Sequence, residues 1–147
     1  MYNDDRAVSV TVGYVLNFAV AALLISGLLV AAGGLIDSQT RQVTSDELAV
    51  IGHQLAADLS GADRLSRAGD VSTLAVRSDL PRRTAAGGYT VEIETDGDRG
   101  TIELRTSSPD VTVTVPFRTD AAVADGTVAG GPVRIDHDGT GLEVRPA

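Results

Sequence analysis

Hydrophobic and polar positions divide the chain into three stretches with different periods. From Ala7 to Ile36 there is no Asp, Glu, Lys, Arg, His or Gln. At helical rise such a run spans roughly 45 Å, more than the ~30 Å hydrocarbon core of a bilayer. The pattern predicts a membrane-spanning helix over residues 8–36, preceded by a charged segment over 1–7 that contains Asp4, Asp5 and Arg6. The flanking charges do not fix its orientation, since Arg6 is offset by two Asp and the far side mixes Asp37, Arg41, Asp46 and Glu47. An N-terminus in the cytoplasm and a C-terminal domain outside is the expected arrangement.

Beyond Ile36 the period remains helical but becomes amphipathic. Leu48, Ile51, Leu55, Leu59, Ala62 and Leu65 recur at three- and four-residue steps, with Asp46, Glu47, Gln54, Asp58, Asp63 and Arg64 between them. No proline occurs between Ile36 and Pro81. One helix from about residue 8 to 68 is therefore expected, with Gly33-Gly34 as the place where it would break. Its second part, over 37–70, has an apolar face that needs cover.

From about Ser72 the period falls to two. STLAVRS, GYTVEIETD, GTIELRTS, DVTVTVPFR, PVRIDHDG and GLEVRP alternate apolar with polar residues between Gly, Asp, Pro and Ser turns. They predict about six short strands in an antiparallel meander over 71–147, with TDGDRGT and DHDGTG as hairpin loops. The fold class expected is α+β: a long N-terminal hydrophobic helix, continuing as an amphipathic helix, then a small antiparallel β-domain with one face on the helix and the other wet.

Charge narrows the partners. The 147-residue chain has a net charge of −8, and all 12 of its basic residues are arginine. A phosphate backbone would be repelled over most of such a surface, so no nucleic-acid partner is expected. Abundant Asp without Lys is what solubility in concentrated salt would favour, which points to a halophilic source; a GC-rich coding sequence that replaces Lys by Arg gives the same count. The absence of cysteine rules out disulfides and thiolate chemistry.

Candidate chemistry is sparse. His53 and His137 are the only histidines, and no HExxH, Walker loop, GxGxxG or Ser-His-Asp order occurs. DHDGTG has calcium-type oxygen ligands without EF-hand spacing and reads as a tight turn. With so few aromatic residues there is no platform for stacking sugars or bases. Neither an enzyme nor a cofactor-binding protein is expected.

The opening DRAVSVTVGYVL resembles the N-terminus of archaeal type IV pilins and pilin-like proteins, whose class III signal peptide sets a charged leader and a small residue directly before the hydrophobic helix. The resemblance implies cleavage by a prepilin peptidase between Ala7 and Val8, with Arg6 as the charge at the leader's end. It covers Arg6 to about Ile36, including the Val8-Ser9 pair and Gly13. The family's usual SPVIG stands here as Ser9-Val10-Thr11-Val12-Gly13, without the proline.

Small residues along the same helix, including the Ala22/Ser26 and Gly27/Ala31 pairs, allow helices to approach closely in lipid, and Asn17 would prefer a polar partner across such a contact. The expected partners are the bilayer, a prepilin peptidase and other pilin-like subunits met through this helix. Two alternatives remain at this level: a permanent single-pass anchor presenting its β-domain for protein contacts, and a cleaved secretory signal. The latter expects a basic head and an apolar stretch of only about 7 to 15 residues, against which VAAGG at Val30 to Gly34 would be the cleavage region.

Overall fold

The structure is a computed structural model that describes the backbone of residues 2–68 and 71–147 and the side chains of residues 11–68 and 71–147. One helix, α1 (Tyr2–Arg67), is followed by seven strands. They are β1 (Leu74–Ser78), β2 (Thr90–Asp96), β3 (Arg99–Ser107), β4 (Asp110–Arg118), β5 (Gly126–Ala129), β6 (Val133–His137) and β7 (Leu142–Pro146). The chain has two compact units, Met1–Gln39 and Thr40–Ala147.

The described residues of the first unit are all helical. The helix is continuous through Gly33-Gly34 and begins before residue 8, so the charged segment is helical in its backbone from Tyr2. Each glycine costs roughly 1 kcal/mol of helix propensity, which the good helix formers Ala31, Ala32 and Leu35 around them and the length of the helix offset.

The second unit packs the later turns of α1 on two antiparallel sheets. Leu48, Leu55, Leu59 and Ala62 are fully buried and Ile51 nearly so, which confirms most of the predicted stripe. Each buried Leu contributes roughly 1.5–3 kcal/mol through loss of apolar surface from water. Leu65 departs from it and is 52% exposed. At 100° per residue it sits roughly 80° off the centre of the buried stripe; Asp63 lies as far off on the other side and is buried, because the loop at Ala121 folds over that side. Arg64 and Arg67 in that turn complement the negative end of the helix.

The sheets have orders β1-β6-β7 and β4-β3-β2-β5. The expected meander survives only as β2-β3-β4; β1 pairs with β6 across the length of the domain, and a seventh strand, β5, pairs with β2. Non-local pairing leaves no turn signature in sequence, and GTVA at β5 buries only Val128, too short a pattern to betray period two. The predicted hairpins are present. Asp96 opposes Arg99 across Gly97-Asp98, with Gly97 at a φ of 67°, the positive value a type II′ turn needs at its first loop position.

DHDGTG closes the β6–β7 hairpin as an Asx turn. The Asp138 carboxylate accepts from the Thr140 N–H at 2.9 Å and its hydroxyl at 2.6 Å. These bonds, the hydroxyl's first, lower the Asp138 pKa to about 2. Residues 122–124 then stitch the two sheets together: Leu142 N–H donates to Ala122 at 2.7 Å and Ala124 N–H donates to Leu142 at 2.8 Å, while the Thr95 hydroxyl of β2 donates to the Val123 carbonyl at 3.1 Å. Inward-facing Val91, Ile93, Ile102, Leu104, Ile135 and Leu142 complete the core beneath the helix. Pro116 lies in β4, an edge strand, where a missing N–H costs no central ladder bond.

Candidate functional site

Two features of the molecule bear on function: the apolar part of α1, and the bonds that fix the domain to the later part of that helix. Of the first, residues 11–39 are all exposed. The helix is long and apolar enough to cross a membrane, with a mean hydropathy of 2.4 over its most apolar 18 residues and none of that window buried. Phe18, Leu24 and Val30 are 68%, 70% and 78% exposed. A contiguous apolar surface of this kind on a water-soluble monomer is rare, whereas in hydrocarbon it is the stable arrangement, all backbone groups being paired within the helix.

The predicted helix-packing residues all lie on this exposed stretch, and helical geometry separates them into two sets. Asn17, Gly27 and Ala31 fall within about 80° of one another, while Ala22 and Ser26 lie on the opposite side. One helix–helix contact can therefore use one set and not both. An added Cβ at Gly27, Gly33 or Gly34 would meet nothing within 4 Å, so each leaves room for close approach. The predicted processing residues Arg6, Ala7 and Val8 have side chains outside the described residues.

In the second unit three carboxylates of α1 reach the β-domain. Asp63 accepts the Ala121 N–H at 2.8 Å and Arg67 Nη2 at 2.7 Å, and Arg67 also pairs with Asp120. Burial pushes the Asp63 pKa up, but the bonds from the Ala121 and Asp120 backbone and from Arg67 outweigh it and hold the carboxyl below its ordinary value. Asp58 accepts from the buried Ser78 hydroxyl of β1, and Glu47 accepts the Ala85 N–H at 2.7 Å. The amphipathic pattern assigns all three to the solvated face. Only the segments folded against them, the end of β1 and the loops at Ala85 and Ala121, show otherwise.

Gly52 sets the closest approach between helix and sheet, since a Cβ there would lie 2.7 Å from Val115 Cγ2 and 2.8 Å from Leu104 Cδ1. Besides a charged depression of about 400 Å³ around Asp63, Arg67 and Asp120, two open depressions flank the domain. One, of about 440 Å³, runs between Val43 and Val50 of α1 and Pro81 to Thr84; the other, of about 570 Å³, lies at the β2–β3 hairpin between Glu94, Arg99, Pro116 and Arg118. Neither gathers groups suited to acid–base or nucleophilic work: His53 is exposed on the helix, and His137 bonds the Gly141 carbonyl oxygen through Nδ1 at 2.9 Å. Among the described residues no three His, Cys, Asp or Glu are placed to hold a metal ion.

No curated protein and no solved structure matches the chain. Residues 3–146 match a family of unknown function, DUF7266, and the chain belongs to that family.

Proposed function

We propose that the chain is a pilin-like, membrane-inserted protein, an accessory subunit of an archaeal type IV pilus-like surface structure, with its β-domain outside the cell. The observation that carries this reading is an apolar, uncharged stretch of α1 in one unit, with the later turns of the same helix packed within a small domain in the other. A leader that keeps its charge on the cytoplasmic side would hold such a helix in lipid, and its removal after Ala7 would free the same apolar surface to pack on sister helices. The role is structural and involves no catalysis or cofactor. The partners are the bilayer, the peptidase that removes the leader, and other subunits bearing similar helices.

The second reading is a permanent single-pass anchor that displays the β-domain. It is favoured by one departure from the pilin pattern, the Val10 that stands in place of proline. The two readings separate on processing. Arg6→Glu should block leader removal and leave the chain in the membrane if it is pilin-like; if the chain is an anchor, the variant should be indistinguishable from wild type in size and location.

A further inference from the structure

The wet face of the three-stranded sheet carries its charge in two rows. Arg77, Arg134 and Arg145 are directly opposed across β1, β6 and β7, and the next row on the same face is Ala75, Asp136 and Glu143. Like charges set opposite one another weaken a sheet. Three arginines in a row are therefore unexpected in a chain of net charge −8.

Each guanidinium is held by a carboxylate two residues away in sequence, on the same strand for Arg134 and Arg145 and just past the end of β1 for Arg77. Arg77 Nε bonds Asp79 at 2.8 Å, Arg134 Nε bonds Asp136 at 2.9 Å, and Arg145 Nη2 bonds Glu143. All three arginines remain more than half exposed. A guanidinium has five N–H donors, so most donors of each are left facing solvent in a fixed orientation.

We infer that this face docks on the same face of a second copy of the chain. Rows on one face are two residues apart, roughly 7 Å, and neighbouring strands are about 4.8 Å apart. A two-fold axis lying between the rows and parallel to them brings Arg134 over Asp136 of the second copy and Arg145 over Glu143 of the second copy. The same operation returns both pairs in reverse, giving four intermolecular ion pairs from one self-complementary patch. Arg77 falls over Ala75 of the second copy, the one small residue of the acidic row.

Elsewhere two copies repel through their net charge, so a locally balanced face is where they approach most readily. The patch is about 14 Å by 17 Å, small for a permanent dimer, and the association is weak and salt-sensitive. Its strength in place rests on the membrane reading, because tethering copies in one bilayer raises their effective concentration.

The absence of cysteine makes the chain suited to site-directed cross-linking. Full-length Ala75→Cys, reconstituted in lipid vesicles and treated with a short bis-maleimide, should give a dimer, and Thr112→Cys on the wet face of the other sheet should not. In the Ala75→Cys background, Arg134→Glu with Arg145→Glu, and separately Asp136→Arg with Glu143→Arg, should each lose the cross-link alone and recover it when mixed. The milder Arg134→Gln with Arg145→Gln should reduce it several-fold with unchanged thermal unfolding, which separates loss of docking from loss of fold. Equal cross-linking at both cysteines, persistence in either charge-reversed variant alone, or no recovery between folded variants on mixing would overturn the inference. The processing state at Ala7–Val8 does not enter these readouts, so either reading of the helix can fail without deciding them.

Discussion

Asp63 of α1 accepts the backbone N–H of Ala121 at 2.8 Å while only 4% exposed, so the end of the long helix is held to the loop after β4 by one buried carboxylate. Removing it leaves a buried N–H without a partner and frees Arg67. Asp63→Ala should destabilise the domain by about 1–3 kcal/mol in denaturant titrations at neutral pH. Because its pKa is lowered in the folded chain, Asp63 contributes stability above its unfolded pKa near 3.8, and that contribution is lost as pH falls through the lower folded value. Asp63→Asn should flatten the acid limb of stability against pH; an unchanged limb would show that Asp63 carries no such linkage.

Two glycines of the same helix should respond in opposite directions. Gly61 has nothing within 4 Å of an added Cβ, so Gly61→Ala should stabilise by about 0.5–1 kcal/mol through helix propensity alone. Gly52 has Val115 and Leu104 against it, and Gly52→Val should cost about 1–3 kcal/mol by overpacking. Thermal unfolding of the two variants checks the close approach of helix and sheet; equal shifts would contradict it.

Glu92 directly opposes Glu103 on the wet face of the four-stranded sheet. Glu92→Gln should stabilise by about 0.2–1 kcal/mol at low salt. At about 1 M salt the screening length falls to ~3 Å, and the advantage should vanish. A gain that persists at high salt would assign the effect to something other than charge.

The helix and most strands were legible because each buries one face, which writes a period of 3.6 or 2 into the residues: Leu48 to Ala62 on α1, and Val91/Ile93 against Ile102/Leu104 in β2 and β3. What escaped depends on partners distant in sequence. Asp63 stands as far off the buried stripe as exposed Leu65, and only the Ala121 loop distinguishes it. Arg77, Arg134 and Arg145 look like scattered surface charges until β1 pairs with β6. The candidate membrane segment needed no partner, since length and the absence of charge define it; the two-sided split of Asn17, Gly27 and Ala31 from Ala22 and Ser26 follows from helical geometry.

The central proposal concerns what happens to the apolar helix after synthesis, and the N-terminal residue of the mature protein tests it most directly. Intact mass and N-terminal peptide mapping, on membrane and sheared extracellular fractions of the native host, should find a chain beginning at Val8. A chain that retains Arg6 and Ala7, found only in the membrane fraction, would contradict pilin-like processing and leave the helix as a permanent anchor.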